Sequence, residues 1–274
     1  MENIRFTNTA FAAIGLQAIL VIALVAAVAL IWKKKTKQPF ELYLIGAVTF
    51  FVSAMVLENI PKVPVLSLPA IKNSPVLTTV VASVFAGLFE ETGRFIAFRT
   101  AMKKNHDKKN AISYGIGHGG FEALFLILST AITYIVMGIM INSGNTEKIT
   151  ADMDEATIAL ATEQLKGVSE TTFSSILPSI CERISAMTFH ISCSVLVFAA
   201  AKNKKYIMLY PIAILLHFGF DMISALYLTK TVTAIQMEII FALVAFVIAA
   251  AVYCFYKKLP QEVSDSERRM ECNV

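Results

Sequence analysis

Glu90, Glu91 and Arg94 stand inside the stretch FEETGRFIAFR, in a run otherwise apolar enough to cross a lipid bilayer. Charged side chains at the middle of a membrane cost about 2.5 to 3.5 kcal/mol each on insertion scales, so they face a protein interior or a wet cavity and mark candidate sites. Three further stretches place ionisable groups in the same setting. AISYGIGHGGFEALF carries His118 and Glu122, and AILLHFGFDMIS carries His217 and Asp221, each pair spaced i and i+4 and therefore on one helical face. CERISAMTFHISCS carries Glu182 and Arg183 near one end and His190 in its middle. A carboxylate among imidazoles suits activation of water against a carbonyl, the carboxylate taking the proton and imidazoles donating to the developing oxyanion. Hydrolysis of an amide is the natural reaction. Neither GxSxG nor HExxH occurs, although Ser113, Ser192 and Ser194 lie near these groups. The expectation is a site without a metal. The alternative is a zinc site with an open position built from Glu90, His118, His190 and His217, ligands from separate helices whose spacing lends no support.

The elements that must position these groups are membrane-spanning. The chain is 56% hydrophobic and only 16% charged, with a mean hydropathy of +0.65, outside the range of soluble domains. At roughly 20 apolar residues per span, seven segments can be marked, near 10–32, 40–59, 77–101, 111–141, 180–201, 206–228 and 232–256. Basic clusters at 33–37, 103–109, 202–205 and 257–258 fall in alternate connections and after the last segment. The positive-inside rule then sets the N-terminus outside and the C-terminus in the cytoplasm. The fold class is all-α, a polytopic membrane protein of about seven transmembrane helices, multi-pass in the cell membrane. The first segment meets KKK rather than a small-residue cleavage site, so it reads as a retained helix. At 1.5 Å rise per residue, Glu90, His190 and His217 lie about 16 Å from the cytoplasmic ends of their segments, His118 about 11 Å and Glu122 about 17 Å. Four helices thus bring polar groups to one layer near the bilayer middle.

Blander roles compete for several of these residues. Arg94 follows Glu91 by three positions and Glu90 by four, so an ion pair within one helix would neutralise buried charge. A lone intramembrane histidine commonly makes a hydrogen bond between helices, whereas three in one layer favour chemistry. Asp221 can orient His217, and Glu182 and Arg183 read as interfacial. Gly115, Gly117, Gly119 and Gly120 read as helix-packing positions that would also admit a substrate backbone. Glu41, Glu58 and Glu238 fall near segment ends, where a side chain can reach water. The long outer loop 143–179 is acidic, with Glu147, Asp152, Asp154, Glu155, Glu163 and Glu170. It contains a stretch of helical propensity with Ile158, Ala161 and Leu165 on one side, either a solvated connector or a surface-lying gate. Pro61, Pro64 and Pro69 break helix in the other sizeable outer loop. Cys181, Cys193, Cys254 and Cys272 form no metal-ligand pair, and the ending ECNV stands one position off a prenylation box. The basic clusters are short and explained by topology, so nucleic acid is not expected as a partner.

The series EETGR at 90–94, YGIGHGGFE at 114–122, FHISCS at 189–194 and HFGFD at 217–221 resembles the four-motif pattern of the CPBP and PrsW-like superfamily. That superfamily includes the type II CAAX prenyl proteases and is regarded as glutamic-type intramembrane proteases. Within it the chain is most similar to the YhfC family of membrane peptidases. The resemblance covers about 77–228 and implies that Glu90 activates water while Glu91 and Arg94 support it. His118 or Glu122, which offer two registers of the second motif, would partner the water. His217 and Asp221 match the last motif, which forms the oxyanion hole, and His190 has no assigned place in the pattern. Two accessory helices would then occupy 1–76, a four-helix catalytic core 77–228 and a last helix with its tail 229–274. The expected function is an intramembrane peptidase acting on a membrane protein or lipid-associated peptide, within the bilayer. The alternative is a non-catalytic proton or ion relay, or a scaffold, using the same buried layer.

Overall fold

The computed structural model describes residues 4–151 and 153–264. Asp152 of the outer loop and Cys272 near the C-terminus lie outside the described residues. Among the described residues the fold is all-helical, with seven helices long and apolar enough to cross a membrane. α1 spans Asn8–Thr36. α2 begins at Glu41–Phe50 and continues through a π-helical stretch, Phe51–Leu57, into Asn59–Leu66. α3 is Pro75–Arg99, α4 Lys109–Asn142, α5 Glu155–Ser169, α6 Ile176–Lys202, α7 Leu209–Asp221 and α8 Ala234–Lys258. All but α5 lie in the apolar spans. Large apolar side chains such as Ile31, Leu215, Phe246 and Val247 are more than 60% exposed, as a lipid-facing surface requires.

Local chemistry accounts for the boundaries. Ser74 accepts from the Leu77 amide and Pro75 occupies the first turn of α3, where its missing N–H costs nothing. Thr233 and Gln236 form a capping box at the start of α8. Two expectations are corrected in α2. Pro61 and Pro64 do not break the helix: Pro61 falls in the first turn after the π-helical stretch, where its amide is dispensable, and Pro64 lies inside Asn59–Leu66, which ends soon after it. Because the helix runs on, Glu58 sits within it rather than at an end. It is 3% exposed and pairs at 2.6 Å with Lys62.

The described residues divide into two compact units. One comprises the chain up to Val25 with Ala123–Arg183. Its core joins Phe6, just before α1, and Ala10 and Ile14 of α1 to Ala131 and Ile141 of α4 and to Leu165 of α5. The outer-loop helix expected from the sequence is therefore α5, capped by the Asp154 side chain at 2.7 Å from the Thr157 amide, and it packs through Leu165 rather than lying free.

The other unit, Ala26–Glu122 and the residues from Ile184 on, holds every polar group of the expected layer, while Glu182 and Arg183, expected to be interfacial, belong to the first. Its packing is set by glycines. A Cβ on Gly117 would lie 2.0 Å from the Tyr43 carbonyl oxygen, and one on Gly46 2.2 Å from that of Tyr114, so α2 and α4 touch backbone to backbone. On the opposite side of α4, Gly115 and Gly119 approach Ile191 and His190 of α6, at 2.8 Å and 3.0 Å from where a Cβ would stand. Gly87 of α3 likewise meets the Ile214 carbonyl of α7. Small residues let transmembrane helices approach closely, and here the YGIGHGG stretch seats His118 between two helices.

Candidate active site

Residues 90 and 91 are adjacent on α3, so their side chains leave the helix about 100° apart. Glu90 faces α4 and α6 while Glu91 faces α7. Glu90 Oε2 lies 3.0 Å from His118 Nε2 and 3.9 Å from His190 Nδ1, and Glu90 Oε1 lies 4.0 Å from His217 Nε2. One carboxylate thus meets three imidazoles from three other helices. Glu90 is 6% exposed and His118, His190 and His217 are 0%, 4% and 2%.

The remaining charged groups hold this arrangement. Glu91 Oε1 accepts from His217 Nδ1–H at 2.8 Å, which turns His217 Nε2 toward Glu90. Glu91 Oε2 lies 3.2 Å from Arg94 Nε. Arg94, fully buried, reaches beyond that ion pair: Nη1 donates to the His190 carbonyl at 2.6 Å and to Ser194 Oγ at 2.7 Å, and Nη2 to His118 Nε2 and His190 Nδ1 at 3.1 and 3.2 Å. Arginine is a pure donor, so both histidine nitrogens present lone pairs. His190 Nε2 sits 2.5 Å from Glu122 Oε2. Asp221 stands farther out, its carboxylate 3.8 Å from His217 Nε2 and its side chain 34% exposed. Aromatic rings close the cluster: Phe50 meets His118 edge-on at 5.2 Å, and Phe189, stacked on Phe220, meets His217 at 5.4 Å.

All eight residues singled out as catalytic or supporting, Glu90, Glu91, Arg94, His118, Glu122, His190, His217 and Asp221, thus fall in one neighbourhood. Glu182 and Arg183 pair instead with each other. Ser113 accepts from the Trp32 indole and Ser192 donates to the Thr188 carbonyl, so their bonds lead away from the cluster. Sequence reasoning missed the breadth of Arg94's contacts and the part of Ser194, because helical spacing exposes only partners on the same helix.

Glu90, His118 and His190 each offer one ligand atom within 4.8 Å of the others. Mixed histidine and carboxylate donors of this kind suit a divalent metal ion such as zinc. Two details bear on the fit. Since the His118 Nε2 lone pair already faces Arg94, its approach to 3.0 Å from Glu90 Oε2 brings two acceptors together, a contact that a proton or a cation must mediate. The far nitrogen of His190 lies on the Glu122 carboxylate, the partner that orients a ligating imidazole. The donor types therefore suit the ion, but each histidine nitrogen has a single lone pair, so the Arg94 Nη2 bonds to His118 Nε2 and His190 Nδ1 would have to yield when the ion binds.

The family model described as "YhfC intramembrane metalloprotease" matches residues 19–258. The chain belongs to this family. It is similar to the "Uncharacterized membrane protein YhfC" of Bacillus subtilis (strain 168), with 33% identity over 256 residues that cover 88% of this chain and 96% of the relative. No solved structure matches it.

Proposed function

We propose that this multi-pass membrane protein is an intramembrane peptidase of the cell membrane, hydrolysing a peptide bond of a membrane-associated peptide or transmembrane segment at the Glu90 cluster. The observation that carries the reading is the meeting of His118, His190 and His217, each from a different helix, on the two oxygens of one buried carboxylate. The family description supports proteolysis, and the order of the four motifs supports a place among the CPBP and PrsW-like glutamic proteases.

Glu90 Oε1, on the His217 side, takes the proton of the attacking water and returns it to the amine nitrogen as the C–N bond breaks. His217, acting as an imidazolium with Nδ1–H committed to Glu91, is aimed so that Nε2–H donates to the oxyanion forming on the scissile carbonyl. Arg94 fixes α6 through the His190 carbonyl and Ser194 Oγ, and Glu122 fixes the His190 ring from Nε2. Glu90, His118 and His190 would hold a divalent ion on the Oε2 side, where a bound ion would supply Lewis-acid polarisation of water or carbonyl. Burial among Phe50, Phe189 and their neighbours keeps bulk water from competing.

Purified protein in liposomes containing a library of single-span peptides is expected to generate discrete fragments by mass spectrometry. His217→Gln, which keeps an amide near Glu91 but loses the imidazole, is expected to lower the maximal rate about 100- to 1,000-fold. An intact library, or a His217→Gln rate close to that of the unaltered protein, contradicts the proposal.

A further inference from the structure

Away from the cluster, a cavity of about 630 Å³ opens between α1, α4, α6 and α8 in the second unit. Its lining is mainly apolar, with residues such as Ile191 and Val252 beside Thr188 and Ser192, the Ser192 hydroxyl being spent on the Thr188 carbonyl, and it includes Trp32, Lys35, Lys109 and Tyr256 at the ends of their helices. Against about 30 Å³ for one water, this space has the size of a hydrocarbon chain. Lys35 and Lys109 make no ion pair among the described residues. The nearest acid in sequence, Asp107, is engaged by the Lys109 amide at 2.8 Å and the Gln261 side chain at 2.8 Å rather than by the Lys109 ammonium. The Trp32 indole is held by its 3.0 Å bond to Ser113, with its ring left as part of the wall. By the positive-inside expectation these lysines lie at the cytoplasmic surface, where anionic lipid headgroups concentrate.

We infer that this cavity binds an anionic phospholipid, its phosphate between Lys35 and Lys109 and one acyl chain in the apolar cleft. Charge complementarity selects the occupant: two uncompensated ammonium groups at the helix ends lining a mainly apolar space match an anionic head on a hydrocarbon tail. A peptide segment would bring backbone polar groups that the mainly apolar lining does not satisfy. The site uses none of the residues assigned to peptide hydrolysis.

Trp32 is the only tryptophan of the chain, so its fluorescence reports this cavity alone. The full chain is reconstituted in vesicles in which brominated phosphatidylglycerol or brominated phosphatidylcholine replaces the unlabelled lipid at increasing mole fraction. The anionic lipid is expected to reach half-maximal quenching at a mole fraction on the order of 10-fold lower. That difference is expected to shrink in Lys109→Gln and vanish in Lys35→Gln/Lys109→Gln, while excess inorganic phosphate leaves the quenching unchanged. Equal quenching by the two lipids, a preference that survives in the double variant, or relief by inorganic phosphate overturns the inference.

Discussion

Glu90→Gln is expected to lower peptide cleavage by about 100- to 10,000-fold, the range for losing a positioned general base, while the protein remains folded. Glutamine keeps the length of the side chain and can still donate to His118 Nε2 and lie beside His217. What it loses is the oxygen proposed to accept a proton from water on the His217 side, and the charge that would help hold a cation among Glu90, His118 and His190. Cleavage rate and thermal unfolding, measured on the same preparation, separate the two effects. A variant that unfolds at an unchanged temperature yet cleaves at the original rate would remove Glu90 from the chemistry. Glu91→Gln provides the contrast: its carboxylate contacts Arg94 and His217 rather than the water, so its loss acts through their positions.

Arg94→Met carries the largest expected cost in stability. The guanidinium is completely buried and reaches Glu91, the His190 carbonyl, Ser194 and two imidazoles. Methionine fills part of the volume but leaves the buried Glu91 carboxylate with His217 alone as partner, and leaves the His190 carbonyl with one donor fewer. Removing one member of a buried pair costs about 3 to 5 kcal/mol, and a membrane interior offers no water to soften it. Glu91→Gln/Arg94→Met is expected to recover a substantial part of the loss, because the surviving anion is gone. Unfolding followed in detergent for the two single variants and the double checks this. Strict additivity would show that Glu91 and Arg94 are independent, against their 3.2 Å contact.

Much of this architecture was legible in the sequence because the bilayer imposes it. Spans of the required length, basic clusters between them and a shared depth for Glu90, His118, His190 and His217 are consequences of 1.5 Å per residue and of the cost of buried charge. The pairing of Glu91 with Arg94 followed from helical spacing alone. Partners on different helices were not legible: the spacing of His190 and Glu122 in the chain says nothing of their 2.5 Å contact, which depends on the glycines that bring α4 against α6. Arg94 looked like a local neutraliser because its other partners lie on α4 and α6. The helix through Pro61 and Pro64 was hidden for another reason, since a π-helical stretch shifts the register that proline rules assume. The sequence offers Glu90, His118, His190 and His217 as zinc donors, but the convergence of the first three appears only once the helices are packed, for no pair of them shares a helix.

The central claim is that side chains from separate helices act as one centre on the Glu90 carboxylate, His118 through Oε2 and His217 through Oε1. The most direct test compares cleavage rates of the unaltered protein, His118→Gln, His217→Gln and the double variant in the same liposomes. Residues that work as a unit lose their effects together, so the double variant is expected to be little slower than the slower single one. Losses that multiply, each histidine costing the same whether or not the other is present, would contradict a single centre.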